Sequence, residues 1–183
     1  MTIRVSVFIA TSLDGYIAHS DGGIDWLESV PPVGNGDDAG YSAIYNAVDA
    51  LVMGRGTFDK ILTFDSYPYA GKPLVVLSST LTTVPDKLSE HDISIMHGTP
   101  QRVYEQLSER GYTHIYLDGG KVIQSFLRAG LVDDMTITQI PILLGSGLSL
   151  FGELERDIHL RLLRSTAWHN GFVQSVYQVQ REG

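Results

Sequence analysis

Apolar and polar positions along this chain fall into blocks of two kinds. Residues 3–10, IRVSVFIA, are rich in apolar and β-branched side chains, the pattern of a strand buried on both faces. Short runs of the same kind recur at 73–77 within KPLVVLSST, at ALVM (50–53), ISIM (93–96) and THIYL (113–117), and in LVDDMTITQIPILLG, which reaches Pro141. Helical spacing lies between them. Tyr41, Ile44, Tyr45 and Val48 mark one face of a helix over 39–48, which Asp37 or Asp38 would cap. Arg55 to Ile61 starts a second helix, PQRVYEQLSERG a third closed by Gly111, and KVIQSFLRAG a fourth ending in Gly130. The tail places DIHLRLLRSTAW and FVQSVYQVQ on either side of His169-Asn170-Gly171, and Asn-Gly between alternating runs predicts a hairpin. Strand–helix alternation followed by a hairpin predicts an α/β fold of three layers: a mixed, mostly parallel sheet, helices on both faces and an antiparallel C-terminal hairpin. With no internal repeat and no linker, residues 1–183 read as a single domain.

Composition narrows the function classes. Charged residues make up 19% and hydrophobic ones 43%, ordinary for a globular enzyme or binding domain. A net charge of -8 disfavours nucleic acid and anionic membrane as partners. The absence of cysteine excludes disulfides, thiolate metal sites and a cysteine nucleophile. The six histidines show no metal-ligand spacing. The N-terminus, MTIRVSVFIATSLDGYIA, is interrupted by Asp14 and makes a poor signal peptide, so the expected location is cytoplasmic.

The chemistry is carried by two turns of one design. ALVM-Gly54-Arg55-Gly56-Thr57 and IYLD-Gly119-Gly120-Lys121 both pass from a buried strand through glycine into a helix. Helix N-termini offer unpaired N–H groups and a partial positive charge, and in α/β sheets ligands collect at the carboxyl ends of strands. Arg55 adds a forked cation, and Ser78 and Ser79 add hydroxyls at a third strand end. Any one of these turns reads as plain architecture. Three in one small domain point to a phosphate-bearing nucleotide.

These segments resemble a known family. VMGRGTF, LVVLSST and LDGGKVIQSFL are similar to segments of dihydrofolate reductases. SLDGYIA, Asp before Gly-Gly, and LLGSGLSLF resemble more closely the reductase domain of the bacterial riboflavin pathway. The resemblance runs from Val5 to Phe151 and implies NADPH as hydride donor. It would set Ala10 and Ile17 beside the nicotinamide, Gly54, Arg55 and Thr57 on phosphate, and Arg55 and Ser79 near the 2′-phosphate. Gly119 and Gly120 would lie against the pyrophosphate. In dihydrofolate reductases the bond between such glycines is cis.

The substrate side is less marked. By position the resemblance puts the substrate carboxylate at Asp38, with Asp37 and Asp25 as rivals; the structural alternative for Asp38 is a helix cap. Trp26 and Tyr41 are candidate pocket walls and Asp14 a turn residue. GSGLSLF (145–151) reads as a turn or part of a subunit contact, and the riboflavin group implies a homodimer. The stretch FDKILTFDSYPYAG lacks the arginine that riboflavin-pathway reductases use for the ribose phosphate. The expected activity is an NADPH-dependent reductase acting on a small heterocyclic substrate with a C=N bond. The rivals are a true dihydrofolate reductase and a nucleotide-binding protein without catalysis.

Overall fold

The computed structural model describes residues 2–34 and 36–180. The chain opens with a nine-residue strand, β1 (Arg4–Ser12), and a short β2 (Tyr16–Ala18), followed by one turn of helix, α1 (Asp25–Glu28), and α2 (Tyr41–Ala47). Then come β3 (Ala50–Gly54), α3 (Arg55–Ile61), β4 (Leu74–Leu77), a 3-10 turn at Asp86–Leu88, β5 (Ile93–Met96) and α4 (Pro100–Glu109). The last part holds β6 (His114–Asp118), α5 (Gly120–Arg128), β7 (Asp134–Ile140), β8 (Leu148–Ser149), β9 (Leu160–Ala167) and β10 (Val173–Val179).

Eight of these strands form one sheet in the order β5-β4-β3-β6-β1-β7-β10-β9. The six from β5 to β7 run parallel, and β10 lies antiparallel between β7 and β9. The expected architecture is therefore present, hairpin included. The chain moves outward from β3 to β5, then returns to insert β6 between β3 and β1. Such a reversal of strand order opens a crevice at the carboxyl ends.

Alternation along the central strands feeds two cores. Val5, Val7, Val52, Val75, Ile115 and Leu117 point to one face, where Val103 and Leu107 of α4 and Val122, Ile123 and Phe126 of α5 cover them. Leu51, Met53, Leu74, Val76 and Tyr116 point to the other, beneath Phe58 and Ile61 of α3 and the half-buried Tyr41, Ile44 and Tyr45 of α2. Local chemistry fixes the helix ends. Thr99 caps α4 by accepting from the Arg102 N–H, with Pro100 at the first helical position.

Three details differ from the sequence reading. The helix expected over 39–48 starts only at Tyr41, because Ala39 (φ 55) and Gly40 (φ 89) turn through the left-handed region first. Residues 145–151 do more than turn: β8 pairs antiparallel with β2 to form a separate two-stranded sheet beside the crevice. The hairpin loop spans Trp168 to Phe172, closed by the Trp168 N–H on the Phe172 carbonyl at 2.9 Å.

Candidate active site

The two glycine turns meet. A methyl group built on Gly119 would stand 2.5 Å from Thr57 Oγ1 and 3.7 Å from the Gly54 nitrogen, so the β3–α3 and β6–α5 turns touch. Gly119 also has φ 92 and ψ 131, a conformation that only glycine adopts without strain. A methyl on Gly120 would meet Ile17 Cδ1 and the Ser149 carbonyl, each at 3.0 Å. Gly54 is tight as well, 2.9 Å from Val122 Cγ2 by the same construction. The backbone is bare here in the first place because neighbouring parts of the chain press against it. The peptide bond between Gly119 and Gly120 is trans, not the cis bond that the resemblance implies; the positive φ of Gly119 makes the turn.

Of the nucleotide-site candidates, Gly54, Thr57, Gly119, Gly120 and Ile17 are thus brought into one place. Ala10 lies near the carboxyl end of β1, paired with Thr138 of β7. Arg55 is exposed at the start of α3, its Nε donating to Asp59 Oδ1 at 2.6 Å one turn on. Ser78 is occupied as a turn former, its hydroxyl accepting from the Leu81 N–H at 2.9 Å and the Thr80 N–H at 3.2 Å. Ser79 beside it is exposed. Converging helix starts, a surface guanidinium and a free hydroxyl fit a phosphate-bearing cofactor.

The carboxylates sort differently. Asp38 is exposed and accepts from the Gly40 N–H at 3.0 Å and the Ser42 N–H at 2.8 Å. These bonds, with one from the Ser42 side chain as the largest cause, hold it below the usual carboxylate range. Of the two roles weighed for Asp38, the cap is the one this geometry displays. Asp37 takes the Ala39 N–H at 2.8 Å and the Trp168 indole N–H at 3.0 Å, and Asp25 lies exposed 3.6 Å from His19. Asp14 clasps the loop ahead of β8, accepting from Gly145 N at 2.7 Å and Leu144 N at 3.1 Å.

A carboxylate that the sequence reading passed over stands at the crevice instead. Asp118 ends β6, directly before Gly119, and among the described residues its carboxylate accepts a hydrogen bond only from the Gly119 N–H, at 2.8 Å. Burial pushes it up to about 6. It lies two residues beyond Tyr116 and so on the same face of β6, the face that carries the tyrosines. Tyr116 donates to the Phe8 carbonyl at 2.8 Å, and Phe8 meets Tyr41 edge-on at 6.0 Å. From there a ladder of rings runs through Tyr45 and Tyr69 to Tyr67, which stacks on His91 at 4.1 Å. Burial, then the charges of Tyr45 and Asp118, push Tyr41 up to about 12; Tyr69 is raised by burial and Asp118. These phenols stay protonated at any working pH. The hydroxyls of Tyr45 and Tyr67 and the indole N–H of Trp26 are buried without a hydrogen-bond partner among the described residues. The pattern that could have revealed Asp118 was its two-residue spacing from Tyr116 at the end of a buried strand.

Residues 4–174 match the RibD C-terminal domain family. The chain belongs to that family. The Bacillus subtilis protein YwjB, itself uncharacterized, is 34% identical over 165 residues, covering 88% of this chain and 90% of its own. A solved structure from Shewanella sp. PV-4, which bears a provisional riboflavin-biosynthesis name, is 43% identical with a TM-score of 0.91, covering 98% of this chain and 100% of its own. A dihydrofolate reductase from Enterococcus faecalis, complexed with NADP(H) and RAB-propyl, shares 14% identity at a TM-score of 0.65 and covers 97% of both chains. That likeness extends to the fold: this RibD C-terminal domain has the dihydrofolate reductase-like architecture. Among the described residues no helix is long and apolar enough to cross a membrane.

Proposed function

We propose that this RibD C-terminal domain is an NADPH-dependent reductase of the riboflavin-pathway type, acting on a C=N bond in a heterocyclic substrate. The nearest chemistry is reduction of 5-amino-6-(5-phosphoribosylamino)uracil. The observation that carries the reading is the contact between the Gly54–Thr57 and Gly119–Gly120 turns at the carboxyl ends of β3 and β6. Two helix starts and Arg55 at one end of a crevice suit a pyrophosphate and its neighbouring phosphate.

NADPH, when bound, supplies the hydride. The chain supplies the proton, the binding walls and the exclusion of water. A C=N bond accepts hydride at carbon and a proton at nitrogen, so a proton donor is needed at the substrate side of the crevice. Asp118 fills that role in this reading. Its proton is held toward neutral pH by burial, within the range useful for general acid catalysis. Donation from its carboxyl oxygen to the substrate nitrogen leaves a carboxylate, which solvent reprotonates between turnovers. Tyr41 and Tyr69 provide a flat apolar wall for a planar ring. Asp38 is left to hold the start of α2.

The test is titration of the protein with NADPH and with NADH, followed by cofactor fluorescence, in wild type and Arg55→Ala. Micromolar NADPH binding, at least tenfold tighter than NADH and weakened by the substitution, is the expected result. Binding of neither cofactor would sink the reductase reading. Binding without NADPH oxidation, in a screen that begins with the riboflavin-pathway pyrimidine and includes dihydrofolate, would leave a nucleotide-binding protein.

A further inference from the structure

The tyrosine-lined side of the crevice has a chemistry of its own. Tyr41 and Tyr45 of α2 stand 5.9 Å apart between ring centres, Tyr45 and Tyr69 lie 6.4 Å apart and inclined by 23°, and Tyr67 meets Tyr69 edge-on at 5.9 Å. Asp118 belongs to the same group, since its charge acts on both Tyr41 and Tyr69. Aromatic rings grouped in this way favour a flat ring as their partner. A carboxyl held near neutrality adds polarity of both kinds. Ionised, it accepts from a ring N–H; protonated, it donates to a ring nitrogen. Rings and carboxyl together fit a planar nitrogen heterocycle.

The same ground is poor in positive charge. Segments 37–47, 62–73 and 116–118, which carry the rings and Asp118, hold four aspartates, Asp37, Asp38, Asp65 and Asp118, against a single cation, Lys72. Lys72 is already engaged. Its Nζ donates to the Val48 carbonyl at 2.6 Å and lies 5.2 Å from the centre of the Tyr45 ring. Arg55, at the start of α3, is paired with Asp59. The phenols of Tyr41, Tyr67 and Tyr69 stay neutral, because burial holds their protons. Taking a phosphate dianion out of water is costly unless cations and N–H donors replace its hydration, and forked arginines serve that purpose well. Beside these tyrosines a dianion would meet neutral rings and carboxylates instead.

We infer that the substrate is a phosphate-free planar heterocycle, a base or its sugar derivative without a terminal phosphate, held against Tyr41 and Tyr69 with its nitrogen edge at Asp118. This rests on the reductase reading for the use of the site and goes beyond it in substrate class: the riboflavin-pathway pyrimidine fits only in its dephosphorylated form.

The experiment is calorimetric titration of the full chain, with and without saturating NADP+. The probes are 5-amino-6-(5-phosphoribosylamino)uracil and the same compound after a phosphatase has removed its phosphate. The expected result is that the phosphate-free form binds at least about tenfold tighter, with kcat/KM for NADPH oxidation in the same order. Tyr69→Phe is expected to keep that affinity, and Tyr69→Ala to weaken it at least about tenfold while NADPH binding stays within a few-fold. Ala70→Arg, at an exposed position beside Tyr69, supplies a cation and is expected to narrow the preference by tightening the phosphorylated form alone. It alters no buried residue, so it keeps the test valid if Tyr69→Ala fails to fold. Equal or tighter binding of the phosphorylated form by wild type overturns the inference, as does failure of both forms to bind, whether or not NADPH does. Loss of NADPH binding with the phosphate-free form still preferred would sink the reductase reading and uphold the tyrosine site.

Discussion

Replacing Asp118 by Asn is expected to stabilise the protein at neutral pH and to have little effect in acid. In the native state burial raises the carboxyl from 3.8 to about 6, with only the Gly119 N–H acting in the opposite direction. Below about pH 4 both folded and unfolded chains hold the proton, and the shift has no effect on stability. Between pH 4 and 6 the unfolded chain releases its proton while the native state keeps it, so native stability falls as pH rises. Above pH 6 the full penalty applies. At about 1.4 kcal/mol per pH unit, a shift of that size amounts to about 3 kcal/mol, an upper figure because Asp118 keeps some surface of its own. Asparagine has a similar shape, can still accept from Gly119 and carries no charge to desolvate. For a chain of this length, a gain of 2 to 3 kcal/mol corresponds to a rise in Tm of roughly 5 to 10 °C at pH 8. Thermal unfolding of both proteins from pH 3.5 to 8 checks this. An equal difference at every pH, or a destabilised variant at pH 8, would refute the account of Asp118 as a costly buried charge. The same substitution is expected to abolish turnover while leaving NADPH affinity within a few-fold. Stability held back at a functional position and recovered at the cost of activity is a familiar trade.

Other substitutions separate structure from chemistry. Gly119→Ala forces a side chain into a left-handed position and against Thr57 Oγ1; a loss of about 2 to 3 kcal/mol in urea unfolding and at least tenfold weaker NADPH binding are expected. Gln174 is 4% exposed and bridges the Ala39 carbonyl at 2.8 Å and Thr138 Oγ1 at 2.9 Å, so Gln174→Leu strands two acceptors and is expected to cost about 1 to 3 kcal/mol by the same assay. Hydrogen bonds from Ser12, Gly145 and Leu144 hold Asp14 below its ordinary value, so it favours the native state above the usual carboxylate range. The Tm advantage of wild type over Asp14→Ala is therefore expected to shrink as pH falls through that range, and hydrogen exchange at residues 144–145 to quicken in the variant. Asp38→Asn is expected to leave kcat within a few-fold of wild type, measured by NADPH oxidation once a substrate is in hand.

The sequence pattern conveys the sheet and its helices well because the central strands are buried on both faces. Val5, Val7, Leu51, Val52 and Leu117 leave no ambiguity of period, and the glycines at 54, 119 and 130 mark where strands or helices end. It conveys the site less well because each candidate there has two uses. Asp38 looks like a ligand in sequence order and behaves as a cap in space, since the left-handed turn at Ala39 and Gly40 leaves the first N–H groups of α2 in need of acceptors. Asp118 looks like one more residue of a glycine turn, and its significance depends on neighbours distant in the chain: Phe8 on β1, Tyr41 on α2 and Tyr69 in a loop. Gly119 shows the same duality. Its glycine is required by its own φ and by Thr57 before any cofactor is considered, yet that contact is what brings two helix starts together. A substitution at Gly119 alone therefore cannot separate architecture from binding, whereas Arg55, exposed and paired among the described residues with Asp59 alone, can be removed without disturbing either core. Loss of NADPH preference in Arg55→Ala with unfolding unchanged is the outcome that would tie these turns to a ligand.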